Sequence, residues 1–152
     1  MDFDWIENNV LLHALNEGER LLLGEVFDIV EFEVGDNLIT QGHDEKDIFI
    51  IREGMAAITY SYRDMETQVG FAESGAIVGE MSFFRGQPAS ATVRAMGPIR
   101  AYKFSRQAYC KLLVVNPEVL MNLLAYIQFQ TAQALERSNH QLASMLVEKK
   151  SK

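Results

Sequence analysis

Apolar positions along the chain follow two different periods. Across residues 1–24, Trp5, Ile6, Val10, Leu11, Leu15 and Leu21 to Leu23 recur at helix-like steps, with an interruption near Asn16-Glu17-Gly18. From Val26 the period shortens. Glu31-Phe32-Glu33-Val34 alternates as a half-buried strand does, and Gly35-Asp36-Asn37 turns the chain. Short strands are then predicted at 38–40, 48–51, 55–62, 67–71, 76–78, 92–95 and 99–104, with Arg63 to Glu66 as a hairpin tip and Gly35, Gly42, Gly54, Gly75 and Gly97 as punctuation. From Ser105 the helical period returns. One helix runs to about Asn116, and a second starts at Pro117 and meets no breaker until about Val147. Its stripe is Leu120, Leu124, Ile127, Thr131, Leu135, Ser138, Leu142 and Met145; Glu148 to Lys152 read as a frayed, charged tail.

This rhythm predicts a mainly β fold with flanking helices: an antiparallel β-roll or jelly roll (double-stranded β-helix) carrying N-terminal helices and a long C-terminal helix. The 152 residues suit one domain over 1–152, with N-terminal helices at 1–24, the roll at 26–104 and C-terminal helices at 105–147.

Composition narrows the function classes. A hydrophobic share of 48% is enough for a core, and a net charge of −7 disfavours a nucleic-acid surface. The lone Cys110 permits no internal disulfide, and no apolar run approaches the roughly 20 residues of a membrane span. With an acidic N-terminus these features predict a cytoplasmic protein that does not insert into membranes. His13, His43 and His140 are scattered, so no metal centre is expected, and neither a nucleophilic triad nor a glycine-rich triphosphate loop is present. A cupin-like metalloenzyme remains the enzymatic alternative for such a roll, but no catalytic residue and no cofactor are assigned.

Candidate binding chemistry concentrates in 79–95. Gly79, Ser82, Ser90 and Ala91 are small enough to let backbone N–H groups approach an anion. Glu80 is out of place in an anion cradle unless it serves another part of the ligand. As a plain structural residue it would be a carboxylate favoured at a helix N-terminus. Ser82 and Ser90 serve equally well as ligand contacts or as caps, and Phe83 and Phe84 read as core plugs.

Taken in order, Val34-Gly35-Asp36, Gln41-Gly42, Ile48 to Gly54, Gly75 through Gly79-Glu80-Met81-Ser82, and Ser90-Ala91-Thr92-Val93 resemble the cyclic nucleotide-binding domain family of catabolite activator-type regulators, kinase A regulatory subunits and cyclic-nucleotide-gated channels. The resemblance covers roughly 10–147. It implies a ligand of the cAMP or cGMP type in the 79–92 cassette. Glu80 would take the ribose 2′-hydroxyl, and amides at Gly79, Met81, Ser82, Ser90 and Ala91 would hold the phosphate. The helix from Glu118 would cap the base, with Gln130, Thr131 or Gln133 facing it. One position departs from the family: Ala89 stands in the cassette where an arginine pairs with the phosphate. A charge-assisted bond contributes about 1.5–3 kcal/mol, so roughly ten- to a hundredfold in affinity is at stake.

The expected function is a non-enzymatic sensor or regulatory module that signals through its C-terminal helix. Its alternative is a degenerate cassette that binds no cyclic nucleotide and serves dimerisation or protein interaction. A homodimer or a partner protein is expected on the C-terminal helix, whose length exceeds what one small roll can cover. Only about five residues follow Val147, so direct DNA contact through a helix-turn-helix is not expected.

Overall fold

A computed structural model describes all 152 residues. Helix α1 (Phe3–Ile6) runs on as a π-helical turn, Glu7–Leu11, and closes at Leu12 in the left-handed region (φ 57°). Helix α2 (Glu17–Val26) follows. The break therefore falls at Leu12 to Asn16, ahead of the predicted Asn16-Glu17-Gly18. Asn16 is the start signal itself: its side chain accepts from Glu19 N–H while the Glu19 carboxylate accepts from Asn16 N–H.

The strands are β1 (Phe27–Phe32), β2 (Asn37–Ile39), β3 (Ile48–Glu53), β4 (Ala56–Tyr62), β5 (Met65–Ala72), β6 (Ile77–Val78), β7 (Thr92–Ala95) and β8 (Ile99–Phe104). They form two antiparallel four-stranded sheets, ordered β1-β8-β3-β6 and β2-β7-β4-β5. Several strand ends move by one or two residues relative to the sequence reading, and two of the shifts have visible causes. β1 stops at Phe32, before Val34, where pairing with β8 runs out at Ile99. The hairpin tip is only Arg63-Asp64, both left-handed, so Met65 and Glu66 already pair with Tyr62 and Ser61.

The period of two explains the unbroken apolar run in β3. Ile48 and Ile50 face a core shared with the helices, whereas Phe49 and Ile51 face the interior between the sheets. Each fully buried isoleucine contributes about 1.5–3 kcal/mol. The inner core gathers Leu38, Ile39, Val78, Ala89, Val93 and Ala101, among others. The outer core joins Phe27, Tyr102 and Phe104 of the roll to Ile6, Leu23, Leu112, Leu120 and Ile127 of the helices.

Helix α3 (Glu80–Arg85) lies in the 79–92 loop, and α4 (Arg106–Val115) is capped by the Ser105 hydroxyl. Helix α5 (Pro117–Lys150) is continuous and overruns the expected end. Lys149 and Lys150 sit in its last turn, where cations complement the helix dipole, so the charged tail extends the helix as far as Lys150. Only its first half is covered. Val119, Leu120, Leu123 and Ile127 are buried, whereas every residue from Ala132 to Lys150 is exposed. No helix is long and apolar enough to cross a membrane.

Candidate functional site: the cassette around α3

Gly79 introduces α3 with a left-handed backbone (φ 91°, ψ −5°), and Gly86 ends it the same way. Phe83 is the first N–H in the helix to find an acceptor, Gly79 O at 3.0 Å. The N–H groups of Glu80, Met81 and Ser82 therefore precede the intrahelical ladder, as those of a first turn must.

Three braces come from the β2–β3 loop. The Ser82 hydroxyl lies 2.9 Å from Glu45 O and also contacts Gln87 O. Ala89 N–H donates to His43 O, and Ala89 O accepts from Gly42 N–H, both at 2.8 Å. Asp47 O stands where a Cβ on Gly79 would be, 2.4 Å away. Ser82 is thus bound as a loop staple, and Ala89 is buried in the inner apolar core with its N–H engaged. Ser90 is exposed and Ala91 half-buried at the entry to β7, where Thr92 Oγ1 accepts from Gln41 N–H at 3.0 Å. All seven residues singled out from the sequence lie in one loop. They differ in availability: the side chains of Glu80, Met81 and Ser90 are within reach of a ligand, whereas Ser82 and Ala89 are held by the protein.

Phe83 anchors helix α3 in the core shared with the helical layer. Phe83 is 1% exposed and packs on Phe104 (6.3 Å between ring centroids) and Tyr109 (5.9 Å). The Arg106 guanidinium stacks 4.2 Å over the Phe83 ring and donates to Phe83 O, a carbonyl at the C-terminal end of α3. Phe84 departs from the core-plug reading. It is half exposed, and with Met81, Leu124, Ile127 and Leu135 it lines an apolar groove of about 480 Å³ between α3 and α5.

Glu80 and Thr131 are the polar pair in that groove. Burial pushes the Glu80 carboxyl above its usual range; its own N–H and the Thr131 hydroxyl, approaching from α5, counter this. No cation pairs with Glu80. A second contact fixes α5 one turn earlier: Tyr126 Oη donates to Gly75 O at 2.5 Å, and burial raises the phenol as well. Of the three residues considered for the base, Thr131 faces Glu80. Gln130 lines a separate groove of about 430 Å³ along β5, with Phe71 and Arg137, and Gln133 lines neither groove.

A raised carboxyl pKa has a stability consequence. The unfolded chain releases this proton at lower pH than the folded chain, so Glu80 costs stability once pH passes its usual value, and the full cost is reached above the raised one. Glu80→Gln is expected to stabilise the free protein at pH 7–8, with the gain vanishing near pH 4. Urea denaturation across pH measures it, and a gain independent of pH would refute it.

Sequence reasoning missed Arg106, Tyr126 and the β2–β3 braces. Arg106 is adjacent to a visible N-cap, Ser105, but nothing in the sequence ties it to Phe83.

Comparison with known proteins agrees with this architecture. Residues 29–116, more than half of the chain, match the family model for the cyclic nucleotide-binding domain. A cAMP-dependent protein kinase regulatory subunit from Mucor circinelloides f. lusitanicus is 29% identical over 104 residues; these are 68% of this chain but only 24% of that protein. Among solved structures, a cyclic nucleotide-binding domain from Methylobacillus flagellatus KT superposes with a TM-score of 0.85 at 22% identity, covering 94% of this chain and 83% of that one. The regulatory domain of Toxoplasma gondii PKA, solved with cAMP, gives 0.66 at 19% identity, covering 88% and 48%. The chain belongs to the cyclic nucleotide-binding domain family, whose members are regulatory, non-catalytic modules.

Proposed function

We propose that the chain is a non-enzymatic sensor that binds a cyclic nucleotide such as cAMP or cGMP in the 79–92 cassette and passes occupancy to α5. The observation that carries this reading is Glu80. It is a mostly buried carboxyl without a cation, held between α3 and α5, where only its own N–H and the Thr131 hydroxyl approach it, and a carboxylate can accept from a further hydrogen-bond donor. A sugar hydroxyl is such a donor. The cyclic phosphate would take the N–H groups of Met81 and Ser82 and those of Ser90 and Ala91.

Isothermal calorimetry with cAMP, cGMP and cyclic dinucleotides tests the reading. Binding weaker than in arginine-containing cassettes by roughly ten- to a hundredfold is expected. Absence of heat at high micromolar ligand would overturn it. Ala89→Arg sharpens the test. Position 89 is buried in the inner core, so an arginine there is an unpaired buried cation and should destabilise the free protein by several kcal/mol. An anionic ligand would relieve that charge. The variant should therefore melt lower than the parent without ligand, recover on adding cyclic nucleotide, and bind at least about tenfold tighter.

The exposed half of α5 supports a second role in the same module, homodimerisation. Leu135, Leu142 and Met145 are 61%, 57% and 66% exposed, at the three- and four-residue steps of a helical seam. Most helical stability in proteins comes from packing of an apolar face, and this one is exposed. Sedimentation is expected to show a dimer that Leu142→Glu dissociates. A parent protein monomeric at 100 µM would refute the dimer. A dimer that binds no nucleotide would assign the module to protein interaction.

A further inference from the structure

Two buried side-chain polar atoms have no hydrogen-bond partner, Arg52 Nε and Thr131 Oγ1. Arg52 is otherwise engaged, donating to Asp2 at 2.7 Å and stacking 5.0 Å from the Trp5 ring. Thr131 has one polar atom, and it is idle. A helical threonine ordinarily returns its hydroxyl to the carbonyl four residues back, here Ile127 O, and Thr131 does not. Valine would fill the same space without burying an unsatisfied hydroxyl, so the fold alone gives no reason for the oxygen.

The surroundings give one. Thr131 stands on the α5 wall of the apolar groove, and Glu80 stands on the α3 wall. The two approach each other without completing a well-formed hydrogen bond. Each lacks what one alcohol group can provide. A carboxylate accepts a hydrogen bond from a hydroxyl, and a threonine hydroxyl can donate to that same oxygen. Resting on the cyclic-nucleotide reading above, we infer that Glu80 and Thr131 form a two-sided receptor for a single ligand hydroxyl. The hydroxyl donates to Glu80 and accepts from Thr131, so a ribose-type hydroxyl bridges α3 to α5. Thr131 is then the specificity residue for the sugar, and it is the point at which α5 registers an occupied cassette. Met81, Phe84, Leu124 and Ile127 around the pair limit water, which makes a missing hydroxyl costly to replace.

Calorimetry on the full chain with cAMP and 2′-deoxy-cAMP, for the parent, Thr131→Val and Thr131→Ser, tests this. The parent should prefer the ribose form by roughly tenfold or more. Thr131→Val should melt at or above the parent temperature without ligand, yet bring that preference down severalfold; Thr131→Ser should restore it. Valine keeps the shape, so a purely structural threonine would change melting and leave the preference untouched. An unchanged preference in a variant that still binds overturns the inference alone. No binding of either nucleotide by the parent overturns the cyclic-nucleotide reading and the inference with it.

Discussion

Phe83→Ala is expected to destabilise the protein by about 3–5 kcal/mol. The side chain is 1% exposed, and its ring touches aromatic neighbours on β8 and α4. Deleting it removes the transfer energy of a full aromatic ring and leaves a cavity that three separate elements cannot all close. It also removes the ring on which the Arg106 guanidinium stacks, leaving that group only its hydrogen bond to the backbone carbonyl of residue 83. In a chain of this length each kcal/mol corresponds to about 2–4 °C, so the melting temperature should fall by roughly 6–20 °C. Urea denaturation with an unchanged slope would show that the native state alone was affected. Phe83→Leu keeps most of the volume and should cost less than half as much. A loss below 1 kcal/mol for the alanine variant would mean that α3 is not anchored through this ring.

Gly79→Ala should be nearly as severe, at about 3 kcal/mol or more, by a different route. The left-handed backbone costs any L-residue about 1–2 kcal/mol. The added Cβ would also sit 2.4 Å from Asp47 O and 3.0 Å from Ile39 Cδ1, and the nearer of these is backbone. Either the β2–β3 loop or the start of α3 must shift, and a shift of α3 carries Glu80 with it. Gly86→Ala is the control. Its backbone is also left-handed (φ 66°), but nothing lies within 4 Å of its Cβ, so only the conformational part should appear. Equal losses at 79 and 86 would show that the contact with Asp47 is unimportant. Ligand affinity should fall in Gly79→Ala and hold in Gly86→Ala.

The sequence displays what is local or periodic. The turn residues and alternating runs mark eight strands, and the switch at Ser105 marks the helices, because each signal lies within a few residues of its effect. Contacts between distant segments leave no such signal. Ser82 could be read as a ligand contact or a cap, yet it is a staple to Glu45, 37 residues away in sequence. The stripe on α5 shows which residues share a face, but not that Tyr126 would meet Gly75 or that Thr131 would meet Glu80. Arg106 and Phe83 are 23 residues apart, and neither implies the other. Ala89 was legible as a departure from the family pattern. Its enclosure among Leu38, Ile39 and Val93 was not, because alanine occurs as readily on a surface as in a core. The end of α5 was misjudged for a related reason: a run of lysines resembles a solvated tail whether or not the backbone beneath it stays helical.

Helix α5 is clasped to the cassette by Tyr126 and by the Thr131–Glu80 approach, and beyond them every residue is exposed as far as Lys150. At 1.5 Å per residue the free stretch is about 28 Å long. That geometry makes it a lever with its fulcrum at the ligand site. A tilt of about 10° at the clasp, small enough to be absorbed by a rotamer change and a few tenths of an ångström of packing, carries the far end through about 5 Å. A surface 5 Å out of register no longer interdigitates, so a movement too small to disturb the roll is large enough to make or break a contact at the tip.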